Sequence, residues 1–259
     1  MGPACVLINR LVKQTMPRTP KLGSRGKPEE TRREILEAAI QEFASEGVAG
    51  ARTDSIAKAA GVNKALLYYY FADKEALYGA VLDSVFSGLL AEAQKVFNSG
   101  GSAGEKILQY SLTHFHYIAA HPEYPRLVQH EMMRAQGGHS LHIERIVVTF
   151  FRPILSGLIQ MLAAGMKTGE FREIDPMQFG VSMTGLNVFY FVSVPIQRAI
   201  GNRDPFTRES QQERCAAVLD MLGSTLFADA HRGRTLAKAV LSAWKPATLP
   251  KIPRKVTRT

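Results

Sequence analysis

Four consecutive aromatic residues, Tyr68 to Phe71, lie close behind the turn signal Gly61-Val62-Asn63. Successive residues of a helix point about 100° apart, so a soluble helix cannot bury all four rings. An outward tyrosine has a rigid ring and a terminal hydroxyl, and it can contact a thymine methyl and bond a phosphate with little loss of entropy. The segment therefore favours contact with nucleic acid. Packing of the rings between the first helices stays open as the alternative, above all for Tyr70.

The other reactive side chains do not form a catalytic pattern. His139-x-x-His142 with Glu144 could bind a metal, but the pair lies beside two glycines, where solvated histidines are ordinary. The zinc-protease pattern fails because Arg134 stands four positions after His130, where a second histidine is needed. The sequence has no phosphate loop, nucleophile elbow or paired-carboxylate motif. We therefore expect no enzyme activity, no metal and no cofactor.

The elements that must position the aromatic residues are helices, because nearly every periodic segment has a helical period. Pro28 opens a first helix, and Thr53 and Asn63 are good N-caps for two short helices separated by Gly61. Asp73 caps a long fourth helix. Two short helices around a glycine turn match a helix-turn-helix, whose second helix lies in the DNA major groove.

Helix phase divides the second short helix and its neighbours into two faces. The inward face is expected to hold Ile56, Ala57, Ala60, Val62, Leu67 and Phe71. The outward face is expected to hold Lys64, Ala65, Leu66, Tyr68 and Tyr69.

The segment TDSIAKAAGVNKALLYYYFADKEAL, from Thr53 to Leu77, resembles the DNA-binding signature of TetR/AcrR-family regulators. It has the small residues, Gly-Val-x-Lys, Leu-Tyr-x-Tyr-Phe and x-Lys-Glu-x-Leu, and the match spans roughly 28–80. The resemblance implies an all-α fold, with an N-terminal three-helix helix-turn-helix domain and a C-terminal helical ligand-binding and dimerisation domain.

The same resemblance implies which residues contact DNA. Thr53, Asp54 and Ser55 would begin the helix that touches the backbone and flanking bases. The recognition face would consist of Lys64, Ala65, Leu66, Tyr68 and Tyr69. Lys74 would hold a phosphate, and Tyr70 and Phe71 would brace the motif. Such proteins often have Gly and Thr at positions 65 and 66, so Leu66 predicts an apolar contact with a thymine methyl.

The charge of the chain is concentrated at its ends. The net charge is +9, yet residues 1–27 carry six cations and residues 230–259 carry eight, both without an acid. The middle therefore has 18 of the 32 basic residues against all 23 acids. Residues 28–75 have six cations against nine acids, although phosphate neutralisation normally dominates DNA affinity. The N-terminal arm could compensate by entering a minor groove, or it could merely be a solvated tail.

These observations predict four segments. Residues 1–27 form a basic, disordered arm, and residues 28–75 form the DNA-binding domain. Residues 76–229 form an effector-binding and dimerisation domain, with kinks at Pro153 and Pro195. Residues 230–259 form a basic tail with one short helix at 235–244.

The second domain is expected to form a homodimer and to enclose a small apolar effector, as the resemblance implies. The helices near 175–200 and 206–228 would pair with their mates, so that two recognition helices span a palindromic operator. Methionine and aromatic side chains make an adaptable apolar cavity. The candidate lining residues are Phe115, His116, Met132, Met133, Phe150, Phe151, Met161, Met183, Asn187 and Tyr190. Ordinary helical core remains the alternative for each of them.

The sequence thus predicts a cytoplasmic, homodimeric, sequence-specific DNA-binding transcriptional regulator, more readily a repressor that an apolar ligand releases. Two cysteines are too few for a disulfide framework, and no stretch approaches ~18 uninterrupted apolar residues, so we expect no membrane span.

The alternative is a DNA-binding module that is controlled by a partner protein or acts architecturally, without a small-molecule effector. A helical enzyme is a third class, but it would require an acid/base site.

Overall fold

The computed structural model describes residues 27–201 and 204–245, and the regular elements in these ranges are all helical. The predicted N-terminal arm before Lys27 and the tail after Lys245 lie outside the described residues. The helices are α1 (Pro28–Gly50), α2 (Thr53–Ala59), α3 (Lys64–Tyr70), α4 (Lys74–Phe97), α5 (Ala103–Ala120), α6 (Glu123–Gln136), α7 (Ile143–Ile146), a π-helical segment (Val147–Phe151), α8 (Arg152–Lys167), α9 (Pro176–Val192), α10 (Val194–Gly201), α11 (Arg208–Thr225) and α12 (Ala230–Ala243).

Two of the three N-caps predicted from the sequence, at Asn63 and Asp73, are present. Asn63 accepts a hydrogen bond from the Leu66 amide, and Asp73 accepts one from the Ala76 amide. The predicted cap at Thr53 is wrong, because Arg52 is the N-cap residue and Thr53 is the first residue of α2. Helix α1 has a local break at Gly47, whose φ of 63° is left-handed, and the helix ends three residues later.

A continuous core runs through both predicted domains. The boundary drawn between residues 75 and 76 falls inside α4, whose residues from Leu77 to Val96 supply much of this core. Helix α6 packs against α1 and connects the second half of the chain to the first. Gly47 lies at this contact, where an added Cβ would come within 3.2 Å of the His130 ring.

The C-terminal helix is a packed part of the molecule. Helix α12 begins at Ala230, five residues before the predicted short helix, and packs on α11 and α5. The helices α11 and α12 cross where Gly223 and Gly233 meet, and a Cβ on Gly223 would lie 2.7 Å from the Gly233 carbonyl oxygen. The two glycines therefore allow backbone-to-backbone contact.

Two helical stretches among the described residues are apolar and long enough to cross a membrane, by length and composition alone: Lys74–Phe97 and Ile143–Lys167. The core accounts for the first of them, since half of its most apolar window is buried. The predicted bend at Pro195 is present, because the axes of α9 and α10 differ by 63°. Pro153 lies in the first turn of α8, directly after the π-helical segment.

Candidate nucleic-acid interface and internal cavity

The short helix α3 is held by its apolar face and by its ends. Gly61 has a φ of 68°, which lets the chain turn tightly between α2 and α3. Leu66 and Leu67 are buried on one side of α3. Phe71, which follows the helix, is also buried, with the Arg32 guanidinium 5.1 Å from its ring centroid. These contacts anchor α3 against α1 and α2.

The opposite side of α3 faces outward and consists of Lys64, Ala65, Tyr68 and Tyr69. Tyr69 is the most open of the aromatic run, at 63% exposed, and its ring meets that of Tyr70 edge-on with centroids 5.3 Å apart. The expected order of exposure is therefore the one observed, with Tyr68 and Tyr69 outward, Tyr70 half-buried and Phe71 inside.

Two residues to which the sequence assigns a DNA contact, one on this face and one at the start of α2, are buried. Leu66 is 3% exposed, so the prediction of an outward side chain at this position is wrong. On a seven-residue helix, positions 66, 67 and 70 form one face, and that face packs inward. Thr53 is also buried, and its hydroxyl shares a hydrogen bond of 3.2 Å with the Tyr68 hydroxyl. Thr53 thus positions a neighbouring tyrosine.

The charged residues of the surface partly neutralise one another. Lys64 Nζ lies 3.0 Å from Asp54 Oδ1, and both side chains are about half exposed. Lys74 Nζ is 3.4 Å from the Ala49 carbonyl oxygen, at the end of α1. Ser55 is half-buried on α2. A phosphate would have to compete with these internal partners for both ammonium groups.

A cavity of about 350 Å³ lies in the second half of the molecule, between α4, α5, α6, the π-helical segment, α8 and α9. Its walls are mainly apolar, and its lining residues are Leu89, Tyr110, His114, Tyr124, Val147, Phe151, Arg152, Ile154, Leu155, Leu158, Gly180, Val181 and Thr184. Val147, Arg152 and Val181 are exposed and mark where the cavity reaches the surface. The cavity lies within the size range of small-molecule sites, ~300–1,000 Å³.

His114 belongs to the inner wall of this cavity. Its ring is stacked on Tyr110, with centroids 5.9 Å apart and planes 8° apart. Burial lowers the pKa of His114 to about 4, so the imidazole is neutral at physiological pH. Asn187 lies behind it and donates from Nδ2 to the Ser111 carbonyl oxygen at 3.0 Å.

Of the ten residues predicted to line a cavity, only Phe151 lines this one. The prediction is wrong for Met132 and Met133, which are exposed because α6 turns its other face to the core. Phe115, Phe150, Met161, Met183 and Asn187 are buried core residues outside the lining.

The two remaining predicted residues point elsewhere. His116 faces α11 and α12, where its ring stacks on Trp244 and lies 4.0 Å from Cys215 Sγ. Tyr190 donates its hydroxyl to the Pro205 carbonyl oxygen. Sequence reasoning missed His114, Tyr110 and Tyr124, since helix phase alone does not tell which buried face adjoins a void.

A polar cluster joins the start of α4 to α6 and the loop before α7. Arg134 donates to Glu75 Oε1 at 2.6 Å and to the His139 carbonyl oxygen at 3.1 Å, and its guanidinium lies over the Tyr78 ring. Burial, reinforced by the Glu131 charge, raises the pKa of Tyr78. The first turn of α4 is thus tied to the part of the chain that leads into the cavity wall.

The outer side of α9 has an apolar stripe, defined here as Met177, Val181, Gly185 and Phe189. These residues recur every four positions and are all exposed, with Phe189 at 66%. On α11, Ala216, Ala217 and Met221 are exposed as well. Exposed apolar side chains that recur along one side of a helix are typical of interaction surfaces.

Comparison with known proteins gives two family matches. Residues 35–81 match the model for bacterial regulatory proteins of the tetR family, and residues 105–222 match that for the tetracyclin repressor-like C-terminal domain. Together they take in the helix-turn-helix and the helices around the cavity.

The relatives that resemble this chain in sequence or in fold include transcriptional repressors and regulators. The chain is 38% identical over 106 residues, 41% of its length, to the HTH-type transcriptional repressor SCO4008 of Streptomyces coelicolor, and it spans about half (52%) of that relative. It is 32% identical over 142 residues to the HTH-type transcriptional regulator RutR of Escherichia coli K12, covering 55% of this chain and 65% of RutR. Its fold is similar to that of the ketosteroid transcriptional regulator KstR2 of Mycobacterium tuberculosis, with a TM-score of 0.57 at 23% identity over 76% of this chain and 95% of that one.

Proposed function

The chain belongs to the tetR family of bacterial regulatory proteins, whose members bind DNA and regulate transcription, and from that premise we propose that it is a homodimeric repressor released from a palindromic operator by a small apolar ligand. The observation that supports this most strongly is the combination, in one chain, of an outward tyrosine face on α3 and an apolar cavity beside α4.

The proposed DNA contacts are made by α3 and the start of α2. The side chains that face the major groove are Lys64, Ala65, Tyr68 and Tyr69. Asp54 and Ser55 lie beside the sugar-phosphate backbone of the DNA. The Thr53 hydroxyl supports the Tyr68 hydroxyl at 3.2 Å, and Lys74 at the start of α4 reaches a phosphate. The uncovered side of α3 supports this assignment, because phosphate contacts position a protein and side chains in the groove specify its site.

The proposed dimer pairs α9 and α11 with their mates. The apolar stripe on α9 and the small exposed residues of α11 support this pairing, since helices with small residues can approach closely. A dimer places two recognition helices about 34 Å apart, one helical turn of DNA. The DNA target in turn implies a cytoplasmic location.

The proposed mechanism is linkage between ligand and operator. A ligand in the cavity contacts α4 at Leu89, and α4 also begins at the DNA-binding domain. If the ligand favours a dimer with wrongly spaced recognition helices, ligand and operator must weaken each other by the same factor. The Arg134–Glu75 pair, at the other end of α4, is the proposed connection to α6.

Control by a partner protein is the second candidate. Exposed apolar side chains favour it, because Met132, Met133 and Leu141 lie outside the α9–α11 surface and could bind another protein. In that case no small molecule would change operator affinity, although the DNA contacts would be the same.

The test is selection of bound fragments from the source genome by the purified full chain at physiological salt, followed by footprinting. We expect a palindromic site whose half-sites lie about one helical turn, ~10 base pairs, apart. Tyr69→Ala should weaken binding roughly tenfold, or about 1.4 kcal/mol, whereas Met133→Ala, an exposed change on α6, should not. Salt-sensitive binding without a motif, lost on deletion of residues 1–27, would refute the proposal.

A further inference from the structure

Three of the polar side chains that line the cavity are buried and form its inner wall: Tyr110, Tyr124 and His114. All three residues are at most 3% exposed, so bulk water does not solvate them. Almost all buried polar groups in proteins have a hydrogen-bond partner, and each exception requires an explanation.

Neither tyrosine hydroxyl has a hydrogen-bond partner among the residues that the structure describes. The hydroxyl of Tyr117, one turn from the same wall, differs from them because it donates to the Val85 carbonyl oxygen. Nor are the Tyr110 and Tyr124 hydroxyls enclosed by protein atoms, as the unpartnered Tyr78 hydroxyl is. Both therefore open onto the cavity that their side chains line.

The histidine supplies a third donor, and its neighbours determine its tautomer. The Ser111 carbonyl oxygen can only accept, so the Asn187 atom that faces it at 3.0 Å is the amide nitrogen. The same nitrogen lies 3.4 Å from His114 Nδ1, which therefore accepts. In a neutral imidazole the proton is then on Nε2, and the Nε2–H is available as a donor.

The inner wall combines these donors with an absence of charge. Among the described lining residues, Arg152 alone is charged, and its side chain is exposed where the cavity reaches the surface. An anion on the inner wall would lose its hydration without gaining a charged partner, which is costly. A hydrocarbon would leave three donors unsatisfied.

We infer that the cavity binds an uncharged, largely apolar molecule with one carbonyl oxygen, such as a ketone, ester or lactone, whose two lone pairs accept hydrogen bonds from the Tyr110 and Tyr124 hydroxyls. This inference rests on the proposed function, because it gives the chemical class of the ligand proposed there. The apolar remainder of the molecule lies against Leu89, Ile154 and Leu158.

The test is calorimetric titration of the purified full chain, without DNA, with 2-nonanone, nonanoic acid and nonylamine at pH 7.5. These molecules have the same carbon count and differ in the charge of the polar end. We expect 2-nonanone to bind at least tenfold more tightly than the other two. Tyr110→Phe and Tyr124→Phe should each weaken its binding about five- to tenfold, the effect of one hydrogen bond.

Tyr117→Phe is the matched control, because it removes the same atom from a tyrosine outside the cavity and should leave 2-nonanone binding unchanged. Tighter binding of nonanoate, retained in Tyr110→Phe and lost in Arg152→Gln, would overturn the inference, since the exposed guanidinium would then select the ligand. Absence of binding by all three molecules would also overturn it.

Operator binding separates this inference from the proposed function. If 2-nonanone binds with the expected tyrosine dependence but leaves operator affinity unchanged, the proposed release by ligand fails and the cavity chemistry stands. If a charged ligand releases the operator, the proposed function stands and the inference about a neutral carbonyl fails.

Discussion

Within one turn of α3, adjacent side chains have different consequences for folding and for recognition. Leu66 is buried against the rest of the domain, and Tyr69, three positions later, is largely in solvent. A substitution of Leu66 should therefore lower the stability of the fold, whereas a substitution of Tyr69 should alter the exposed surface of α3.

We predict that Leu66→Ala lowers the free energy of unfolding by roughly 2–5 kcal/mol, the cost of deleting a buried leucine. Tyr69→Ala should change it by no more than about 0.5 kcal/mol, because the ring is exposed. Urea unfolding followed by circular dichroism measures both. Equal losses in the two variants would mean that the Tyr69 ring braces the motif.

His114 makes stability depend on pH through its burial. Its pKa is lowered from 6.5 to about 4 in the folded state, so between these values the unfolded chain binds a proton that the folded chain does not. The contribution of His114 is complete above pH 6.5 and is lost as the pH falls towards 4. At 1.36 kcal/mol per unit, the loss is roughly 3 kcal/mol.

We expect His114→Gln to flatten the fall in unfolding free energy between pH 7 and pH 4.5, measured by urea titration at each pH. His116, whose pKa burial also lowers, will leave part of the fall in place. A variant with the same pH dependence as the parent protein would show that His114 is already protonated when folded.

At the scale of helices, the contact between α11 and α12 depends on two residues without side chains. A methyl group on Gly223 would meet the backbone of Gly233, which cannot move away without separating the helices.

Gly223→Ala should therefore destabilise the protein by roughly 1–3 kcal/mol, the usual cost of overpacking. Gly201→Ala is the matched control, because nothing lies within 4 Å of the position where its Cβ would be. Thermal unfolding of both variants measures the difference. A Gly223→Ala protein as stable as the control would mean that α12 is loosely attached.

Two arginines connect the cavity side of the molecule to α4 in different surroundings. Arg134 pairs with Glu75 in a half-buried position, and Arg145 pairs with Asp83 at a more exposed one. Exposed pairs contribute little because water and salt screen them.

Arg134→Gln should therefore reduce the factor by which a bound ligand changes operator affinity, and we expect a reduction of at least threefold. Arg145→Gln should leave that factor nearly unchanged. Fluorescence anisotropy of a labelled operator, with and without ligand, gives the factor for each variant. An equal effect of both changes would argue against a specific role for the Arg134–Glu75 pair.

At the scale of the whole molecule, the apolar stripe on α9 governs assembly in our proposal. Val181 and Phe189 are 60% and 66% exposed, and their burial in a partner would contribute much of the hydrophobic stabilisation of a dimer.

Phe189→Asp should convert the protein to a monomer and abolish tight binding to a two-half-site operator, because an unpaired carboxylate in an apolar interface is costly. Sedimentation velocity gives the molar mass, and Met133→Asp on α6 is the control at a similarly exposed position. A dimeric Phe189→Asp protein would place the interface elsewhere.

Much of this protein follows from local chemistry. Asn63 and Asp73 cap helices wherever their side chains can reach an amide, and Gly61 turns the chain because it tolerates a positive φ. Helix period separates the outward Tyr69 from the inward Phe71. For these reasons the amino-acid sequence is enough to predict the all-helical fold, the helix-turn-helix and, to within one residue, where the first four helices begin.

Which buried helix faces border the cavity, and which pack against each other, depends on tertiary packing. His114 and His116 are two residues apart, yet one lines the cavity and the other packs on Trp244, because α5 lies between different neighbours on its two sides. Leu66 is buried by the packing of the motif, although its position in the signature suggested a base contact. Helix phase gives the direction of a side chain relative to its own helix axis, whereas the identity of the neighbour depends on how separate helices assemble.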